Sequence, residues 1–499
     1  MTLKSHASTY WSATAQAPGF PQLSGDLSVD IAVIGGGIVG ITTARLLKDS
    51  GLKVAVLEAH RVGQQVTDKS TAKVSSQHST IYHTLQSKFG DSQARLYGAA
   101  QQGAIRRIGE LAAQYGIDCD LQEQPSYVYT REEKSIATLE KECRAAQQLG
   151  LPATLVRETD LPCSVLAALR FDGQAQFHPI KYVAGLARTL PGDGSHVFEH
   201  SRVLDWEPTR VVTAQGTVSA RHVVMAMHLP LGHVGLYYAQ AFAQAEPVIA
   251  APIAQVPAGM YLNVESPSHS LRTHRAPNGK VYAIAAGNSF KPGHTDDERQ
   301  AFADLERWLT EHFEAGPIEY RWVNEDYVPM DGAPFIGWSS SPEDGYLVAT
   351  GFNAWGITNG TVAAAVIADL VAGRESPWAE AFPASRIKPV AGGPKFVQET
   401  LETAAHLVGG YLAHRPKSLD ELAPGDAAIL QLDGKRVADT ATSRAPCTPS
   451  RRRAPTWAAS WAGTARTGPG TALCHGSRFD LSGEVLHGPA VQPLERHSP

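Results

Sequence analysis

Apolar positions in the first sixty residues fall into two strand-like runs with a helical period between them. Val29-Asp30-Ile31-Ala32-Val33-Ile34 is short, apolar and rich in β-branched residues, and it breaks into Gly35-Gly36-Gly37-Ile38-Val39-Gly40. Ile38 to Lys48 then carries apolar residues at the spacing of an amphipathic helix. Gly51-Leu52 turns the chain, and Lys53-Val54-Ala55-Val56-Leu57 reads as a second buried strand ending at Glu58. Further on, residues 91–117 and 131–149 show helical spacing with charged faces and read as packing helices. Ile180 to Leu190 predicts another helix, and 202–204 and 210–213 predict short strands. Ala220 to Met227 predicts one more buried strand of the same domain.

From about 231 to 325 the texture changes. Strands are expected near Gly259–Val264 and Val281–Ala286, with a turn at Asn278-Gly279 and a helix over Asp296–Phe313. This reads as an inserted, more antiparallel domain that covers a ligand. Arg272, Tyr261 and Tyr282 are candidates for contact there, although roles on the sheet faces are the simpler expectation. The chain then returns to the first texture. Tyr346–Thr350 is a strand, Gly351 to Gly360 a glycine-punctuated loop, and Thr361–Leu370 a helix.

Strand, glycine turn and helix start present unpaired helix N–H groups and a positive dipole end to a pyrophosphate. Gly35, Gly37 and Gly40 stand at G-x-G-x-x-G spacing. They would serve the turn, the close approach of phosphate and the helix–strand contact. Gly36, Ile38 and Val39 complete the candidate cofactor-binding turn. Glu58 lies 58 − 40 = 18 residues beyond the last glycine, near the spacing at which an acid bonds an adenosine ribose hydroxyl. An acid there fits FAD or NAD better than NADP. The stretch Gly63 to His78 is too polar for a core strand and rich in small residues, as suits a loop close to a cofactor. The second glycine loop repeats the physics of the first. It would serve the charge that develops at the N1–C2=O edge of a reduced flavin, which favours FAD over NAD. His178, before Pro179, reads as structural.

The 499 residues exceed one ordinary core, so two or three domains are expected. A formal net charge of −5 offers no basic footprint for nucleic acid. Five scattered cysteines argue against a disulfide scaffold. No signal-peptide core or run of about 18 apolar residues appears, so no membrane span is expected and a cytoplasmic location is the default.

Gly35–Gly40 with Glu58, and Asp331-Gly-Ala-Pro-Phe-Ile-Gly337 with Thr350-Gly-Phe352, resemble the FAD-dependent D-amino-acid/glycine oxidase superfamily over about residues 29–373. Ser70-Thr71-Ala72-Lys73-Val74 and Phe352-Asn-Ala-Trp355-Gly356-Ile357-Thr-Asn-Gly360 are similar to a bacterial subgroup with a C-terminal Rieske [2Fe–2S] domain. The resemblance adds Ser70–Val74, Gly351, Phe352, Trp355, Gly356 and Ile357 to the cofactor-binding candidates. It implies an α/β fold, with a Rossmann-like FAD domain at 29–230 and 326–373, a cap at 231–325 and an arm at 1–28. The implied chemistry is oxidation of a C–N bond of a small amine or amino acid, with hydride passing to flavin N5. No catalytic side chain is singled out. An NAD-dependent dehydrogenase and an electron-transfer module serving a partner are the alternatives.

Residues 374–417 read as a linker and helix, and 418–499 as a small, degenerate all-β Rieske-like region. A Rieske centre takes two Cys and two His. Cys474-His475 matches the second ligand motif, but Ala472 stands where its ligand cysteine belongs, and the first C-x-H pair is missing. No metal ligands are therefore assigned, and residues 439–473, rich in Ala, Arg, Thr and Pro, are expected to lack order. Reading each codon's third base with the next two makes Trp457-Ala458 and Trp461-Ala462 yield glycines. The same shift permits Cys-Thr-His from 454–456 and Trp-Asp-Cys-Pro from 470–473. A paired frameshift accounts for the loss.

Overall fold

The computed structural model describes residues 9–230, 234–292, 298–343 and 345–386, together with the backbones of short strands between 427 and 497. A six-stranded sheet forms its first layer. Its order is His196–Phe198, Val54–Leu57, Ile31–Ile34, His222–Met225, Leu347–Thr350 and Phe335–Trp338. The first five strands run parallel and the last antiparallel. Ile31 pairs with Val54 and Ile34 with Leu57, so the glycine turn and Glu58 leave the sheet side by side.

Both faces of the central strands are covered, which is why they read as continuous apolar runs rather than alternating ones. The helices Ile38–Asp49 and Gly356–Val371 pack one face, burying Ile41, Ala44, Val362 and Val366 against Val33 and Val56. On the other face, Ala32, Ile34, Ala55 and Leu57 meet Val203, Val211 and Val218 of a small four-stranded sheet. That small sheet contains the two short strands expected around 203 and 211.

The second layer is an eight-stranded sheet. Its order is Tyr320–Pro329, Ala241–Pro252, Val281–Gly287, His269–Arg275, Met260–Asn263, Ser126–Thr130, Ala167–Phe171 and Ala153–Val156. Every pairing is antiparallel except Met260–Asn263 with Ser126–Thr130. The cap sheet therefore draws strands from before residue 231 and continues past 325. The helix Glu298–His312 covers its outer face through Leu305 and Leu309. At roughly 1.5–3 kcal/mol per fully buried leucine, that contact is a substantial share of what holds the helix in place.

Two residues of the N-terminal arm, Tyr10 and Trp11, are fully buried and belong to the core. Helix Tyr82–Gln114 begins earlier than expected and is interrupted at Gly90, whose φ of 81° leaves the helical region. Beyond residue 386 the described strands form two four-stranded sheets. Arg451–Arg453, Trp461–Ala462 and Gly470–Ala472 fall within the stretch expected to lack order, so it does contain secondary structure. The expected helix near 396–414 and the ligand candidates Cys474 and His475 lie outside the described residues.

Candidate functional site

The turn after Ile34 is shaped by what its glycines cannot carry. Gly35 has φ +106°, and a Cβ there would lie 2.6 Å from the Ala226 carbonyl oxygen. A Cβ on Gly40 would lie 1.9 Å from the Gly35 oxygen, so the helix can only cross the turn at a glycine. Gly37 caps the helix without a side-chain acceptor of its own, and of the first-turn N–H groups that of Ile38 donates to Thr67 Oγ1 at 3.1 Å.

The turn faces a solvent-open cleft of about 1260 Å³. Gly35, Gly37, Ile38, Val39 and Glu58 line it on one side, and Phe352, Gly356 and Ile357 on the other. The Glu58 carboxylate accepts from the Gly36 amide at 2.7 Å and the His60 amide at 2.8 Å. Burial nevertheless pushes its carboxyl above the usual range, with those two amides opposing the shift. A Cβ on Gly36 would sit 3.0 Å from the Glu58 side chain, so this glycine makes room for the acid.

A second cavity opens beneath the cap sheet. Ser70, Thr71, Ala72 and Lys73 line it, with Trp355, Gly356 and Ile357 opposite and Gln244, Glu246 and Ser270 from the cap. Ser70, Asn324, Asp326, Ala354, Gly356 and Ile357 border both spaces, which therefore lie side by side along one wall. Gly36, Gly40, Val74 and Gly351 line neither cavity. Val74 is fully buried and pairs with Ala175 behind the wall, while Gly351 turns at φ +75° over Pro329.

Several residues outside the sequence signatures hold this site. Asp326 accepts from His228 Nε2 at 2.9 Å and from the Ala354 amide at 2.5 Å, clasping the second glycine loop. His78 stacks on Trp355 at 4.7 Å and bonds Tyr97, Thr358 and the Ser75 carbonyl. Burial holds its imidazole near a pKa of about 3, so it is neutral and acts as a fixed wall. The Asn324 side-chain amide oxygen, Oδ1, is buried without a hydrogen-bond partner where the two cavities adjoin. An unsatisfied buried acceptor of this kind marks a place for a ligand donor.

Lys73 is buried, and its ammonium donates to the Tyr261 carbonyl at 3.0 Å and to Ser270 Oγ. Desolvation lowers its pKa to about 7, partly opposed by the charge of Glu246. The cap candidates have structural roles. Arg272 is fully buried, donates to the Ala72 and Phe177 carbonyls at 2.7 and 3.0 Å, and lies over the Trp11 ring. Tyr261 stacks on Tyr127, and Tyr282 belongs to an aromatic group with Tyr10 and Tyr320. His178 bonds Thr14 and caps the helix Pro179–Arg188.

The arm reaches this loop as well. Trp11 Nε1 donates to the Ser70 carbonyl at 2.9 Å, and Thr9 Oγ1 to Asp68 at 2.6 Å. No group of metal-ligating side chains gathers among the described residues, and no described helix is long and apolar enough to cross a membrane.

Comparison with known proteins agrees with this geometry. Residues 30–370 match the DAO family model of FAD-dependent oxidoreductases. The chain is 33% identical to the Bacillus subtilis protein named "Putative Rieske 2Fe-2S iron-sulfur protein YhfW", covering 98% of this chain and 97% of that one. It is 29% identical to gamma-glutamylputrescine oxidoreductase of Escherichia coli over 46% of this chain and 55% of that protein. In structure it is similar to glycine oxidase from Geobacillus kaustophilus, with a TM-score of 0.59 at 17% identity, covering 72% of this chain and 100% of that one. The chain belongs to the FAD-dependent oxidoreductases of the DAO family.

Proposed function

We propose that the protein oxidises a C–N bond of a small amine or amino acid. FAD supplies the hydride acceptor, at flavin N5. The observation that carries this reading is the adjacency of two cavities, one at the Gly35–Gly40 turn and the other beneath the cap sheet, with six lining residues in common. In this reading Glu58 holds the ribose, and the Gly35–Val39 turn holds the pyrophosphate through backbone amides. Ser70–Lys73 and Trp355–Ile357 would hold the flavin ring, and the N-terminus of helix Gly356–Val371 would stabilise negative charge developing on it. The cap wall then orients the substrate and excludes water. The E. coli relative's name supports an amine as the class of substrate.

Similarity to the Bacillus protein along nearly the whole chain supports a second reading, in which electrons pass through a C-terminal iron–sulfur centre to a partner. Ala472 at the expected ligand position argues against that centre in this chain. One spectrum tests both readings. The purified protein is expected to show flavin bands near roughly 375 and 450 nm, which an amine bleaches without oxygen. No bleaching by any primary, secondary or amino-acid amine would overturn the amine reading. Additional iron–sulfur absorption would restore the second.

A further inference from the structure

Two side chains of opposite charge, Lys73 and Glu246, line the cap-side cavity. Glu246 stands on the strand Ala241–Pro252 and receives one hydrogen bond, from Ser289 Oγ at 3.3 Å. Lys73 reaches the same cavity from the loop after the glycine turn, tethered by the Tyr261 carbonyl and Ser270 Oγ. The two charges act on each other without forming an ion pair, so the cavity lies between an acid and a base.

We propose that Lys73 and Glu246 handle the substrate amine: Glu246 draws an ammonium group into the cavity, and Lys73 Nζ takes its proton. This rests on the amine-oxidising reading above. Hydride can leave the α-carbon only when the nitrogen lone pair is available, yet alkyl amines enter from neutral water as cations. In the proposed step one N–H bond of the substrate breaks and one Nζ–H bond forms. The cavity holds one positive and one negative charge before and after. Burial therefore adds little penalty to the transfer, since no new charge is created in a dry space.

The surroundings fit that role. A lysine pKa of about 7 makes the amine form of Lys73 available at neutral pH. Arg272, on the neighbouring strand His269–Arg275, adds to the lowering, and Glu246 opposes it. Of the other titratable groups around the cavity, His78 is neutral, Lys88 donates to the Asp331 carbonyl, and Asp326 is engaged by His228.

The test uses the flavin-loaded protein and tert-butylamine, which has no α-hydrogen and cannot be oxidised. Binding is read from the flavin absorbance between pH 5.5 and 9. Wild-type affinity should rise about 10-fold per pH unit up to the Lys73 ionisation and level off above it. Lys73→Met should abolish that inflection. Lys73→Arg, which keeps the charge but cannot deprotonate, should do the same if the methionine variant fails to fold. Glu246→Gln should weaken binding about 10-fold and move the inflection to lower pH, because the charge that holds the proton on Lys73 is gone. With an oxidisable amine, flavin reduction by Lys73→Met at pH 8 should slow about 100-fold and recover as the pH approaches the amine's own pKa. An unchanged inflection in either Lys73 variant would overturn the proposal. So would wild-type affinity in Glu246→Gln, or failure of the wild-type protein to bind the probe while other amines bleach it. A flavin that no amine bleaches would instead reject the underlying reading.

Discussion

The two glycine loops occupy equivalent places and are built by different means. Each follows a parallel strand of the six-stranded sheet, on either side of His222–Met225, and each feeds a helix. The helices meet, and a Cβ on Gly360 would lie 3.0 Å from Val39. In the first loop, close backbone approach sets the shape, because Gly40 crosses Gly35 too closely for any side chain, and nearby Glu58 and Thr67 accept from the Gly36 and Ile38 amides. In the second, Asn353 and Ala354 adopt positive φ of 51° and 65°, a conformation that costs about 1 kcal/mol or more for a residue with a Cβ. Asp326 and the stacked pair His78–Trp355 hold it there. One loop is specified mainly by its own backbone, and the other by side chains from elsewhere in the chain.

Substitutions can break that contrast. The largest effect is expected for Gly40→Ala, whose methyl would lie 1.9 Å from backbone that cannot yield. Purified protein should lose its flavin and unfold at lower temperature, with a stability loss of about 3 kcal/mol. Asp326→Ala should cost less, about 1–3 kcal/mol, since it strands the Ala354 amide. Flavin affinity should fall with the second loop loosened, measured by titrating flavin-free protein. Gly356→Ala should leave the thermal stability of the flavin-free protein nearly unchanged, within about 0.5 kcal/mol, because the nearest protein atom to its Cβ would be 3.7 Å away. If Gly356→Ala proved as damaging as Gly40→Ala, the difference between the loops would not hold.

The same division explains what could be read from the chain. Ile31–Ile34, Val54–Leu57 and the glycines between them carry their pattern in adjacent residues, and both strands form as read. The cap sheet was legible only in part. Met260–Asn263 pairs with Ser126–Thr130, and nothing local in either segment announces a partner more than a hundred residues away. Residues 72–78 look like surface loop by polarity, yet they are buried because Gln174, Tyr97 and Thr358 satisfy their polar groups. Tyr10 and Trp11 sit in a short polar arm, and their burial depends on His274, His178 and Arg272. Asp326 and Glu246 lacked any motif. Their roles follow from pairing Ala241–Pro252 with Tyr320–Pro329, which lays the two strands side by side along the cap-side cavity.

Two unlike glycine loops border the adjoining cavities proposed to hold a single FAD. The most direct measurement is to denature the purified protein, separate the released chromophore and quantify it against the protein chain. The account predicts FAD at one molecule per chain. Release of FMN, or a colourless protein that binds NAD instead, would contradict it.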